Sequence, residues 1–390
     1  MIHTSDWHLG RAFHQVGLQD AQSAYLDSLV EVVRSESVDA VLVSGDVYDR
    51  ALPAPDTVGM LSDAVERLVD AGATVVLSSG NHDSAIRLGF ASRVLERSGL
   101  HIRTGLDDIG RPVVVGDVAV HPLPYLEPSL TAGRLGAAER THASVLRAAM
   151  DRVRASLTAG SHRRSVVMAH AFVTGGATSD SERDIAVGGV AAVPPSVFEG
   201  VDYAALGHLH GRQEVADGVR YSGSPVAMSF SEARHTKGSW LVDLSGDGDP
   251  VVEFVAAPVE RPLALLRGTL DELLSGREHA AAESAWCQVT LTDPLRPLGA
   301  MERLRTRFPH TLDLRFAPTG SVTTMSAYAA SLTERSDLDV CCDFLTHVRG
   351  GHGPDDAERV LLAEAVEGAR LGRAHTEGEG TASPRRSGAA

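Results

Sequence analysis

A chain of 390 residues is long enough for two or three domains, and a hydrophobic fraction of 43% is ordinary for a soluble globular protein. The formal net charge of −15 argues against broad, sequence-independent adhesion to nucleic acid, while leaving room for a local basic groove. No charge-free apolar stretch has membrane-spanning length, no signal peptide is legible, and the three cysteines make no CxxC pattern, so a reduced, cytoplasmic protein is expected.

Residues 1–5 are a short apolar run leading into Asp6-Trp7-His8. Either a translation start placed a few residues late or an abbreviated edge strand accounts for its length. Residues 18–35 carry Tyr25, Leu29, Val32 and Val33 on one helical face. The run 40–44 reads as a buried strand ending in Gly45-Asp46-Val47-Tyr48-Asp49. Pro53-Ala54-Pro55-Asp56 then opens a second helix to about Val69. The run 74–77 leads into Gly80-Asn81-His82-Asp83, and this alternation predicts a layered α/β domain.

From His101 the texture changes to β-like runs at 113–115 and 118–121, followed by one long helix over about 136–159. A strand at 165–169 delivers His170, a Gly- and Ser-rich loop fills 174–189, and a strand at 203–206 delivers Gly207-His208-Leu209-His210. Further β-like segments at 220–222, 239–244 and 251–256 fit two facing sheets with helices outside. Beyond Arg261-Pro262 the order is strand 263–267, helix 270–274, strand 286–292, helix 298–308 and strand 311–316, a small α+β domain to which a helix 337–348 attaches. A last helix runs from Asp355 to about Leu371, and the polar tail from Arg373 is expected to be disordered.

Apolar runs that end in Asp, Asn or His place those groups at the carboxyl edge of a sheet, where open α/β folds bind ligands. One such ending is weak evidence, because Gly-Asp and Gly-Asn are also ordinary turns. Five in order describe a metal site, with Asp46 shared between two metals. Nitrogen and oxygen donors without thiolate suit Mn²⁺, Fe²⁺ or Zn²⁺. Two such cations can clamp a phosphoryl group, and a nearby histidine can protonate the leaving oxygen. Phosphoester hydrolysis is the reaction such a constellation serves best. The basic residues are almost all Arg, with Lys237 the only lysine. Arg suits bidentate phosphate contacts, and a genome-wide bias explains the same fact equally well.

Asp6-x-His8, Gly45-Asp46-x-x-Asp49, Gly80-Asn81-His82-Asp83, His170 and Gly207-His208-x-His210 together resemble the calcineurin-like metallophosphoesterase superfamily. The segments 3–10, 179–189 and Tyr221-Ser222-Gly223-Ser224-Pro225 are similar to its SbcD branch, the nuclease subunits of bacterial SbcCD complexes. The resemblance implies a four-layer fold, two facing β-sheets flanked by helices, with a small α+β capping domain and a C-terminal helix. Its expected divisions are 1–260 for the nuclease domain, 261–350 for the cap, 351–372 for a partner-docking helix and 373–390 for the tail. It implies one metal on Asp6, His8, Asp46 and His210, another on Asp46, Asn81, His170 and His208, and Mn²⁺ as the ion. His82 becomes the leaving-group acid or transition-state stabiliser. Asp49 stands where archaeal and eukaryotic relatives carry a histidine, and Asp83 is expected to fix the loop. Ser179, Ser181 and Arg183 are candidates for DNA phosphate contacts. The resemblance implies DNA, a second copy of the chain and two SbcC ATPase subunits as partners, and the absence of a G-x-x-x-x-G-K-[ST] motif is consistent with a separate ATPase. Helix 355–371 either docks on that partner or packs on its own cap. A small-molecule phosphodiesterase with the same metal core, or a scaffold that has lost the metals, is the rival reading.

Overall fold

The structure is a computed structural model that describes residues 1–182, 192–319 and 336–378, with backbone only over 370–378. The Cα framework divides into a unit Met1–Leu263 and a second beginning at Ala264.

In the first unit two six-stranded sheets face each other. One runs, edge to edge, Val251–Ala256, Gly238–Asp243, Ile2–Thr4, Ala40–Ser44, Thr74–Ser78, Leu100–Arg103. The other runs Gln213–Ala216, Val219–Tyr221, Tyr203–Gly207, Arg164–His170, Val118–Pro122, Val113–Val115. The central strands of both are parallel, with Ser44 beside Ser78 in one sheet and Gly207 beside His170 in the other. Parallel strands covered on both faces read as unbroken apolar runs, and every residue of Ala40–Ser44 is buried.

Strand alternation divides those runs between layers. Ala40, Leu42, Val76, Val166, Met168 and Ala205 meet between the sheets. Val41, Val43, Val75 and Leu77 face the other way, onto Leu26, Leu29 and Leu68 of helices Gln19–Ser35 and Pro55–Asp70. Val167, Ala169, Ala204 and Leu206 pack on Val145, Ala149 and Val153 of helix His142–Ala159. The four-layer α/β expectation holds, and the sandwich brings the carboxyl ends of both parallel sets to one rim.

Some local expectations change. The helix expected over 136–159 begins only at His142 and runs to Ala159, and a separate helix, Pro128–Leu135, precedes it. Gly136 ends the preceding helix in the left-handed region at φ 72°, and the Thr141 side chain accepts from the Ser144 N–H to start the later one. Helix 298–308 shrinks to Ala300–Arg305, behind a left-handed Gly299. The last helix reaches Gly378 instead of Leu371, so the first residues of the expected tail are helical. The rest of the tail, and the loop portion 183–189, lie outside the described residues.

The second unit has a three-stranded sheet, Leu263–Gly268, Trp286–Leu291, Thr311–Phe316, with the last two strands parallel. Leu266, Leu270, Leu273, Val289, Leu304 and Phe308 form its core. Helices Asp337–Val348 and Asp356–Gly378 are joined by a bidentate Arg349–Glu358 pair, both bonds 2.8 Å. Among the described residues no helix is long and apolar enough to cross a membrane.

Candidate metal centre

The strand ends place the side chains, and unusual backbone aims them. Asp6, His8, Asp46 and His208 all have positive φ, at 52°, 43°, 50° and 103°. L-residues adopt such values at a cost of ~1–3 kcal/mol each, and they persist where the surroundings enforce them. Here the Asp6 N–H donates to the Gly45 carbonyl at 3.1 Å and the His8 N–H to the Asp46 carbonyl at 2.9 Å, fastening two strand ends together. Gln22, buried on the first helix, donates to the carbonyls of Trp7 and His8 at 3.0 and 2.7 Å.

Glycines leave the room that these contacts need. A Cβ on Gly80 would lie 2.1 Å from Asp46 Oδ1. One on Gly207 would lie 1.9 Å from the Ser44 carbonyl oxygen.

Asp46 is the hub. Its Oδ2 lies 3.5 Å from His8 Nε2, 3.4 Å from His170 Nε2 and 3.9 Å from His82 Nε2, while Oδ1 accepts the His82 backbone N–H at 2.8 Å. Around it are grouped Asp6, His8 and His210; His8, Asp49 and His82; and Asp6, Asp46 and His170. The His208 ring centroid is 5.4 Å from that of His170, and the His208 N–H reaches Asp6 Oδ1 at 3.0 Å. Asn81 Oδ1 is 2.9 Å from His170 Nε2.

Burial pushes Asp6 up to about 6, His170 countering and Asp46 adding to it. Burial also opposes charge on Asp46, yet His170, His8 and His82 hold its carboxyl well below the usual range. For His170, burial works against the charged ring, and the Asp46 carboxylate overrides it to bring the pKa up to about 9. Burial takes His208 down to about 3, with His170 adding to the fall.

The donor atoms suit a pair of divalent cations. His170 Nδ1 donates to the Ser44 carbonyl at 2.9 Å, so Nε2 of the neutral ring presents a lone pair toward Asn81 Oδ1 and Asp46 Oδ2. Nε2 of His8 and Nε2 of His210 are 3.2 Å apart. His8 Nδ1 is buried without a hydrogen-bond partner among the described residues. Acceptors converging at these distances repel one another unless protons or cations sit among them. Nitrogen and carboxylate donors with no thiolate fit Mn²⁺, Fe²⁺ or Zn²⁺.

A family model described as calcineurin-like phosphoesterase matches residues 1–212. The chain belongs to that family. It is therefore a metal-dependent phosphoester hydrolase. A second model, for the SbcD C-terminal domain, described as the type 5 capsule protein repressor C-terminal domain, matches residues 259–349. Together the two matches support an SbcD-type nuclease.

In this phosphoesterase the outer expected residues fall as follows. Asp83 accepts the N–H groups of Val47, Tyr48 and Gly80 at 3.1, 2.9 and 2.9 Å, tying two loops together. Asp49 accepts from Arg11 at 3.0 Å and lies 3.5 Å from His8 Nδ1. Burial disfavours its charge, but His8 and Arg11 hold it at about 2. The Asp49 backbone carbonyl takes the His82 Nδ1 proton at 2.8 Å. Ser181 is buried, with its hydroxyl on His210 Nδ1 at 2.6 Å and on Glu232. The Ser179 hydroxyl turns to Glu182 at 2.8 Å. Arg183 lies outside the described residues. Sequence reasoning missed Gln22, Glu182 and Glu232, which hold the loops that carry ligands. A polar residue in the apolar face of the first helix was the available sign of Gln22.

Proposed function

We propose that the chain is an Mn²⁺-dependent DNA nuclease, acting as an exonuclease on duplex ends and as an endonuclease on single strands and hairpins. It works in recombination, repair and replication in the cytoplasm, at the nucleoid, with the SbcC ATPase in a complex holding two of each chain. The observation that supports this best is the grouping of seven ligand-type residues, Asp46 among them, in a chain that also carries an SbcD-type C-terminal domain.

Asp6, His8, Asp46 and His210 would hold one ion, and Asp46, Asn81, His170 and His208 the other. Bound there, divalent ions neutralise phosphoryl oxygens and lower the pKa of a water. Asp46 faces three imidazoles at once, which suits the shared ligand. With its Nδ1 proton on the Asp49 carbonyl, neutral His82 presents Nε2 toward the centre. When that ring is protonated, Nε2 can hand a proton to the leaving oxygen, or stabilise charge on it. Asp49 keeps the Nδ1 side of His8 beside a carboxylate and orients His82 through its backbone.

Partner surfaces support the assembly. Leu52, Ile86, Phe90 and Val94 are 70%, 89%, 80% and 71% exposed, a concentration of apolar side chains that suits a second copy of this chain. Val360 and Leu361 on the last helix are 58% and 64% exposed, as a helix docking on a partner requires.

The test is cleavage of an end-labelled DNA hairpin in Mn²⁺, with and without SbcC and ATP, beside His82→Ala. Cleavage that depends on Mn²⁺ and His82 and is stimulated by the partner is expected. Turnover of bis(4-nitrophenyl) phosphate with every DNA substrate left intact would overturn the nuclease reading in favour of a small-molecule phosphodiesterase.

A further inference from the structure

Lys237 is the only lysine in a chain with 36 basic residues, and it is buried. Its ammonium donates to the His210 carbonyl at 2.8 Å, to Ser224 Oγ at 2.9 Å and to Glu232 Oε2. Three N–H donors meet three acceptors. An arginine here would bring a planar fork with five donors to three acceptors arranged around one ammonium.

Glu232, 1% exposed, continues the chain of contacts toward the metal centre. Its Oε1 accepts from the Ser181 hydroxyl and lies 3.6 Å from His210 Nδ1. With its own proton on Glu232, Ser181 Oγ is left to accept the His210 Nδ1 proton at 2.6 Å. The ring is thereby fixed as the Nδ1–H tautomer, with the Nε2 lone pair aimed at His8 Nε2, 3.2 Å away. The His210 backbone is gripped on both sides, since its N–H donates to Glu182 Oε1 at 2.8 Å while Lys237 holds its carbonyl.

We propose that Lys237, Glu232 and Ser181 form a buried cradle that sets the tautomer and position of His210, and so act as positioning residues for a divalent cation bound through its Nε2. The inference rests on the metal-centre reading above. A buried ion pair is a poor stability device, because well-packed apolar residues of similar size often replace one without loss. Placing a ligand is a different task, and loss of the groups that orient a metal-bound histidine costs ~10–100-fold in metal affinity.

That difference supplies the test. In the double variant Lys237→Met/Glu232→Leu, both charges go together, leaving no orphaned ion. The full-length variant should stay folded at a somewhat lower melting temperature, since the His210 carbonyl and the Met228 N–H each lose a side-chain partner, and should bind Mn²⁺, measured by calorimetry, at least tenfold more weakly. Ser181→Ala removes one hydroxyl and should weaken Mn²⁺ binding in the same way. In the metal-free parent, ¹⁵N NMR of the imidazoles should find His210 protonated at Nδ1, and Ser181→Ala should lose that signature. A parent-like Mn²⁺ affinity in either folded variant, or an Nε2–H tautomer for His210 in the parent, would overturn the cradle. If the parent binds no Mn²⁺ at all, the metal-centre reading fails, while the tautomer measurement still decides the cradle.

Discussion

The two sheets approach each other closely at Gly207, and a single methyl group there should loosen the metal centre. In Gly207→Ala the new Cβ would stand 1.9 Å from the Ser44 carbonyl oxygen and 2.9 Å from His170 Nδ1. Cβ contacts under 3.0 Å do not persist, so the opposing backbones must separate by about 1 Å. Overpacking of this kind costs ~1–3 kcal/mol. The separation also stretches the bond from His170 Nδ1 to the Ser44 carbonyl, and leaving a buried carbonyl unmet costs ~1–3 kcal/mol more. A total of about 2–6 kcal/mol corresponds to a fall in melting temperature of roughly 5–20 °C for a unit of this size. Because His170 moves with the strand, Mn²⁺ affinity should drop ~10–100-fold. Gly59→Ala is the control. Its Cβ meets nothing within 4 Å in the interior of helix Pro55–Asp70, so it should stabilise by about 1 kcal/mol. Differential scanning calorimetry and Mn²⁺ titration of the three proteins decide the matter. A Gly207→Ala protein that melts with the parent and binds Mn²⁺ equally well would refute the steric argument.

Other perturbations follow from the same geometry. The His170 pKa is raised to about 9, so below that value a metal must displace its proton. Mn²⁺ affinity should therefore rise with pH from 7 to about 9, and calorimetry in buffers of different ionisation enthalpy should detect proton release; a flat profile contradicts this. His121 is buried with neither ring nitrogen hydrogen-bonded among the described residues, and burial lowers it to about 4. Because its folded pKa is depressed, its contribution to stability is complete above the unfolded value of 6.5 and is lost as pH falls toward 4. His121→Leu should raise the melting temperature and flatten that acid limb by up to ~3 kcal/mol, and an unchanged limb in acid titration would be the negative result. Val360→Glu with Leu361→Glu should weaken capture of the SbcC partner at least tenfold in a pull-down titration while leaving Mn²⁺ binding intact. Equal capture would place the docking surface elsewhere.

The proposed ligands were legible because each lies at or just beyond the end of a buried strand with a parallel neighbour, and such strands announce themselves as apolar runs. Val41, Leu42 and Val43 are wholly interior, and Asp46 follows directly. The cradle around His210 was harder to see. Ser181, Glu232 and Lys237 sit on irregular segments, far from His210 in sequence or without a periodic pattern, and their roles arise only when those segments meet. Lys237 did leave a compositional trace as the only lysine, although composition alone gives no reason for it. Helix Pro128–Leu135 was missed because Pro128 reads as a breaker, although proline at a first helical turn is favourable. Edge strand Leu100–Arg103 was obscured for another reason: it alternates with polar residues and lacks a full apolar run.

The proposed ligands extend from Asp6 to His210, the first four following strands of one sheet and the last three strands of the other. No shorter stretch of the chain contains the centre, because Asp6 and His8 at one end need His208 and His210 at the other. At a synthesis rate of ~5–20 residues per second, roughly 10–40 s separate the first ligand leaving the ribosome from the last. Throughout that interval the emerging polypeptide holds some of its carboxylates and imidazoles but not the set. On the proposed ligand assignment, no partial chain holds both donor sets, and the two ions can be bound only after the two halves of the sandwich have closed.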